Sequence, residues 1–182
     1  MKKQDLLRII NSPKILERTI RFSKDIDENT IDALLEKILK FYQQDQSEYM
    51  VLHSSTSGGM TTQAISYFET VRIYRPKLIT IVSGRCYSGG AMMLLASEPE
   101  LRIATKSTHF LIHPTRTQMS GNYGLPEMQE KMKYLSELEE MNTKIFLKET
   151  NMTEKQFKKE KANDIYSNVD QALKWGLISK II

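Results

Sequence analysis

A single cysteine, Cys86, stands in a chain of 182 residues. It excludes an internal disulfide and suits a reducing compartment. Long hydrophobic runs are absent too. No stretch approaches the roughly 18 apolar residues that span a bilayer, and the opening Met1-Lys-Lys-Gln-Asp-Leu-Leu has too short an apolar part for a secretory leader. Neither sign of charge dominates: Lys and Arg number 26, Asp and Glu 22, for a net charge of +4. The excess is scattered rather than striped, so no nucleic-acid partner is implied. No cluster has metal-ligand spacing, and no Gly-rich loop runs into Lys-Ser or Lys-Thr, so no metal and no cofactor are expected. There is no internal repeat and no low-complexity segment. What is present, 40% hydrophobic residues, can bury a substantial core in one domain spanning residues 1–182. The expected setting is cytoplasmic, away from membranes.

The hydrophobic periodicity alternates between strand and helix. Residues 1–13 read as a short helix and a break at Asn11-Ser-Pro13. Arg18 to Phe22 alternates as a strand. A helix over Thr30 to Tyr42, capped by Asp27 or Asn29, places Ile31, Leu34, Leu35, Ile38 and Leu39 on one face. Tyr49 to His53 is a buried strand, followed by a polar loop to Gly59. Met60 to Tyr74 is a helix with Ile65, Phe68, Val71 and Ile73 as core candidates. Leu78 to Val82 is the next strand, and a glycine-flanked turn leads to a helix ending at Ser97. This βαβ order implies an α/β fold with a parallel sheet. Short strands follow at Leu101 to Ala104 and His109 to Ile112, then a polar loop over 115–124. A long helix from Pro126 to Thr150 carries Met128, Met132, Leu135, Leu138, Ile145 and Phe146 roughly on one face. A helix opening at Thr153, a short helix at Asp170 to Trp175 and a strand at Leu177 to Ile182 complete the chain.

The turn Gly84-Arg-Cys-Tyr-Ser88-Gly-Gly-Ala91 carries the chemistry. A serine between a buried strand and a buried helix can stand exposed beside free helix-start amides, as acyl-transfer serines do. The same pattern also serves as a helix N-cap with glycines for close packing. A serine nucleophile needs a base. His113 ends a strand before Pro114 and is placed to reach a cleft, although a loop histidine fits the same position. His53, in an apolar strand, and His109 read as structural. Asp164 could orient an imidazole or simply cap a helix. Gly58-Gly59 ends the Tyr49–His53 strand and its loop, where its amides could form half of an oxyanion hole or a flexible turn.

Together these residues resemble the proteolytic subunits of the Clp protease family, of the ClpP/crotonase-like fold. Thr56-Ser57-Gly58-Gly59 stands for the family's Ser-Pro-Gly-Gly. Gly84 to Ala91 matches Gly-x-Ala-Ala-Ser-Met-Gly-Ala, and Leu111-Ile112-His113-Pro114 matches Met-Ile-His-Gln-Pro. Asp164 to Leu177 matches the segment that opens on the family's acidic residue. The likeness runs from about Arg18 to Ile182, with no gap between Gly59, Ser88 and His113. It implies a fold of repeated βαβ units with a protruding handle over about 115–150, after an N-terminal segment 1–17. It implies a serine endopeptidase with Ser88 as nucleophile, His113 as base, Asp164 as the residue orienting it, and the amides of Gly59 and Gly89 as oxyanion hole. It further implies a homo-oligomeric ring, heptameric in the family, with a second ring stacked on it. Unfolded chains would be fed to it by a Clp-family ATPase.

The chain departs from the family at Gly89, usually Met, and at Asn163, where an Arg pairs across the ring contact. Gln is missing after His113. Val51 and His53 stand where tyrosines often line the ATPase docking cleft, and the N-terminal segment does not resemble the axial-pore hairpin. Three alternatives therefore remain beside the peptidase. They are an inactive ring-filling subunit, a crotonase-type acyl-CoA enzyme, and a Ser-Lys protease like signal peptide peptidase A, suggested by Ser88-Gly-Gly.

Overall fold

The computed structural model describes residues 2–117, 120–161 and 164–182. Two short helices, α1 (Lys3–Ile10) and α2 (Pro13–Leu16), open the chain. Strand and helix then alternate: β1 (Thr19–Phe22), α3 (Glu28–Gln44), β2 (Met50–Thr56), α4 (Thr61–Tyr74), β3 (Leu78–Tyr87), α5 (Gly89–Leu95) and β4 (Arg102–Ala104). β5 (His109–Ile112), the long α6 (Leu125–Glu149), α7 (Glu154–Lys161), β6 (Ile165–Ser167), α8 (Val169–Lys174) and β7 (Lys180–Ile181) follow. β1 to β4 lie side by side in chain order, all parallel, and β7 joins β4 at the edge. This is the parallel α/β arrangement that the βαβ periodicity predicts.

The sheet forks at β3. Its residues Thr80 to Val82 pair with β4, whereas Arg85 to Tyr87, beyond Gly84 at φ +69°, pair with β5. β6 then lies antiparallel against β5. Past the fork Cys86 still pairs with Thr56 of β2 across a register shift, so the end of β3 runs between β2 and β5 and delivers Ser88 there. The sequence reading ended this strand at Val82, because Gly84 interrupts its apolar run.

Alternating side chains fill both faces of the sheet. Met50, Leu52, Leu78 and Val82 join α3, α4 and α5 in the larger core, and Val51, Ile79, Ile81 and Ile103 pack on the other face with Leu6 and Ile15. The N-terminal segment is thus the cover of the second face. α3 starts at Glu28, two residues before the expected Thr30, because the first of the two expected caps closes it: Asp27 Oδ1 accepts from the Thr30 amide at 2.8 Å, and Thr30 Oγ1 accepts from the Asp27 amide at 3.0 Å. Ile31, Leu34 and Ile38 are buried as expected, but Ile73 is 75% exposed on the last turn of α4.

α6 is 25 residues long and buries Leu138 and Phe146, both in its C-terminal half. Its end is fixed by the fully buried Arg102. The guanidinium donates to the carbonyls of Ser97 (2.8 Å), Leu95 (3.0 Å) and Glu149 (2.8 Å), and to Glu149 Oε2 (2.6 Å). Arg72 joins the same carboxylate and reaches Glu98 at 3.1 Å. Asn163 lies outside the described residues, as do residues 118–119 of the 115–150 region. Among the described residues no helix is long and apolar enough to cross a membrane.

Candidate active site

Ser88 sits between the end of β3 and a helix whose residues Gly90 to Leu95 are all buried. Its backbone is at φ 53°, ψ −122°, a conformation that a non-glycine residue adopts only when its surroundings force it. Two neighbours supply that force. The Ser88 amide donates to the Leu111 carbonyl at 2.8 Å, which ties the turn to β5. The Gly58-Gly59 turn presses on it from the other side: a Cβ on Gly58 would lie 3.0 Å from the Gly89 amide nitrogen, and one on Gly89 would lie 3.8 Å from the Gly59 amide nitrogen. The amides of Gly59 and Gly89 therefore stand close together beside Ser88. Gly89 opens α5, so its N–H is one of the donors a helix leaves without an internal partner.

His113 immediately follows β5. Its Nδ1 lies 2.7 Å from the carbonyl oxygen of Pro114. A carbonyl can only accept, so this contact places the hydrogen on Nδ1 and leaves Nε2 as the basic nitrogen. Asp164 immediately precedes β6. The ladder pairs Ile112 with Ile165 in antiparallel register, so His113 and Asp164 occupy the next facing positions, one step past its end. Asp164 also has a left-handed backbone, at φ 48°. Its carboxylate, however, is not on the imidazole. Arg116 Nη2 donates to Asp164 Oδ1 at 2.6 Å and to Oδ2 at 2.7 Å.

A cavity of about 290 Å³ opens here, lined in part by Gly59, Ser88, Gly89, His113 and Arg116. Ala64, Met92, Ile112 and Phe146 form its apolar wall, with Ser57, Thr61, Thr115 and Asn142 as its other polar members. The structure thus brings four of the five expected site residues to one pocket. Asp164 stands behind them at the adjoining strand end, engaged by Arg116. No lysine is among the described lining residues. Sequence reasoning missed Arg116, Asn142 and Thr115, because polar residues in a loop and along a helix carry no spacing that distinguishes them from solvated ones.

The remaining candidates are placed elsewhere. His53 is exposed and its Nε2 lies 2.9 Å from Ser83 Oγ. His109 is exposed at the start of β5. Cys86, two residues before Ser88, is buried, and burial pushes its thiol pKa up, away from the reactive thiolate.

The Clp protease family model matches residues 3–182. The chain is 25% identical over 166 residues to ATP-dependent Clp protease proteolytic subunit 1 of Tropheryma whipplei strain Twist, covering 91% of this chain and 80% of that one. It is 23% identical over 166 residues to proteolytic subunit 2 of Leifsonia xyli, covering 91% and 74%. Among solved structures, a point mutant of ClpP1 from Listeria monocytogenes superposes with a TM-score of 0.83 over 93% of each chain, at 18% identity. That likeness establishes a shared fold, the ClpP/crotonase-like one that the sequence motifs imply.

Proposed function

The chain belongs to the Clp protease family, and on that premise we propose that it is a serine peptidase using Ser88, His113 and Asp164. The observation that carries this reading is the strained Ser88 turn facing one pocket with His113, Gly59 and Gly89. Ser88 Oγ attacks the peptide carbonyl as His113 Nε2 takes its proton. The carbonyl oxygen gains charge and is stabilised by the amides of Gly59 and Gly89. His113 then returns the proton to the departing amine. Water, activated by the same imidazole, releases the acyl group from Ser88. Asp164 orients the ring and stabilises the imidazolium when its carboxylate is turned to Nδ1.

The reading extends to assembly and supply. The chains form a closed ring, of seven as in the family, that hides the serines in a chamber. A second ring stacks on it, and unfolded polypeptide is delivered by a Clp-family ATPase. The uncovered N-terminal half of α6 supports the assembly, since exposed apolar surface of this kind marks an interface.

A fluorophosphonate probe and short fluorogenic peptides test the chemistry. Wild-type protein should label at Ser88 and cleave the peptides, and Ser88→Ala should do neither. His113→Ala should lose about as much activity as Ser88→Ala, because triad members act as a unit. An unlabelled wild-type assembly would instead mark a ring-filling subunit or an acyl-CoA enzyme. His113, rather than a lysine, stands beside Ser88 among the described lining residues, which favours the triad over the Ser-Lys alternative, and an active His113→Ala would restore that alternative.

A further inference from the structure

His113 and Asp164 face each other one step past the β5–β6 ladder, yet each side chain is bonded to something else. Facing positions on an antiparallel pair lie within side-chain reach of each other, so the register holds imidazole and carboxylate near one another. The tautomer needs no change, because the Pro114 carbonyl already holds the hydrogen on Nδ1. What opposes the contact is a competing cation. Arg116 engages both oxygens of the carboxylate, at 2.6 and 2.7 Å, in a charge-assisted pair.

We propose that Arg116 is a latch on the peptidase: it draws Asp164 away from His113 and lowers activity until the pair opens. The inference rests on the triad reading above and adds a residue that acts through Asp164 without touching the reacting atoms. The loop bearing Arg116 is itself held, since the Thr115 amide donates to Glu139 Oε2 on α6 at 2.7 Å. The latch is nevertheless weak by construction. Side-chain exposure is 64% for Arg116 and 32% for Asp164, and a pair that open to solvent shifts an equilibrium by no more than about fivefold. Salt screens it further. On opening, the imidazole exchanges one acceptor, the Pro114 carbonyl, for a stronger one, the carboxylate.

Steady-state cleavage of a fluorogenic peptide by the full chain tests this, with wild type and Arg116→Gln compared at equal assembly mass. The variant should show kcat raised about two- to fivefold and correspondingly faster fluorophosphonate labelling at Ser88. Its advantage over wild type should shrink as salt rises from low to about 1 M, where the Debye length is about 3 Å. Asp164→Asn should be impaired whether or not Arg116 is present. If Arg116→Gln equals wild type or falls below it while Asp164→Asn is impaired, the latch is refuted and the triad stands. If Asp164→Asn and Ser88→Ala both keep wild-type activity, the triad reading beneath the latch is refuted instead.

Discussion

A Cβ on Gly58 would lie 2.6 Å from the Cβ of Ser88 and 2.7 Å from the carbonyl oxygen of Tyr87. No side chain fits between the Gly58-Gly59 turn and the serine turn, and that lack of space keeps the two amides together. Gly58 is also at φ +94°, where a side chain is strained whatever the space. Gly58→Ala should therefore cost about 1–3 kcal/mol in backbone strain alone and also push Ser88 out of place. The expected result is at least a tenfold loss of fluorophosphonate labelling with a lowered Tm. Gly121, at φ +117° and with Tyr123 at 3.9 Å as its nearest neighbour among the described residues, is the control for strain without a clash. Gly121→Ala should leave labelling near wild type, and equal labelling of both variants would show that the contact at Ser88 does not shape the site.

The second prediction concerns the root of α6. Glu149 accepts from two arginines, one of them Arg102 with no exposed surface. Burial lowers the Arg102 pKa and the Glu149 carboxylate opposes that shift. Glu149→Ala leaves Arg102 buried beside Arg72 with no carboxylate between them. Breaking a buried pair on one side costs about 3–5 kcal/mol, so thermal unfolding should shift down by several degrees or more. Replacing Arg102 by Met in the same chain should recover part of that loss, because it removes the stranded charge. A Glu149→Ala protein as stable as wild type would mean that the network does not hold the helix.

Much of the fold could be read in advance because the apolar period changes so cleanly. Ile31, Leu34 and Ile38 repeat at helical spacing, whereas Met50 to Leu52 and Leu78 to Val82 are continuous runs, as strands buried on both faces must be. His113 was legible for a related reason: it lies where the apolar run Phe110 to Ile112 stops. Ser88 stands six residues beyond Val82 and was legible from the glycines around it and the apolar helix that follows. β6 was not legible. Its three residues, with Tyr166 exposed, are too few to show a period, and the strand exists only through its pairing with β5. Ile73 was misplaced because its spacing fits the helix face, but the chain turns at Arg75 in a left-handed conformation just beyond it, and the contacts of that last turn fall to the buried Val71 and to Tyr74, which meets Tyr42, while Ile73 points out. The Arg116–Asp164 pair joins residues 48 apart in sequence, and no local pattern in either segment announces it.

The third prediction is a pH dependence. Hydrogen bonds from the Thr30 amide and side chain hold the Asp27 carboxyl below its usual value of 3.8. A carboxylate whose folded pKa is depressed contributes stability that is complete above its unfolded pKa and is lost as pH falls through the folded one. Asp27→Ala should therefore unfold at a lower temperature than wild type at neutral pH, and the gap should hold down to about pH 4–5. Below pH 3.8 it should narrow as Asp27 takes up its proton. Melting curves of both proteins across this range measure it, and a gap that stays constant down to about pH 2 would assign the whole effect to lost hydrogen-bonding geometry.

The last prediction is where the assembly makes contact. Leu125, Met128, Met132, Leu135 and Leu138 follow one another at spacings of three and four residues, so they form one stripe along α6. The chain's own core covers that stripe only at its C-terminal end, where Leu138 and Phe146 are buried. At the other end Met132 is 69% exposed, with Leu125 and Met128 uncovered beside it. A helix of 25 residues is about 37 Å long at 1.5 Å per residue, so its open half reaches well beyond the fold that anchors it. An apolar stripe half covered by its own domain and half by nothing fits an assembly in which another copy covers the rest. Placing Lys at both Met128 and Met132 should therefore dissociate the assembly in sedimentation at micromolar concentration, while leaving the Tm of the single chain close to wild type because both sites are already exposed. Dissociation only as far as a single ring would place the helix between rings. Dissociation to single chains would place it within one. Sedimentation identical to an oligomeric wild type would remove the stripe from the interface altogether, and a wild type that is itself monomeric at both low and high salt would remove the ring.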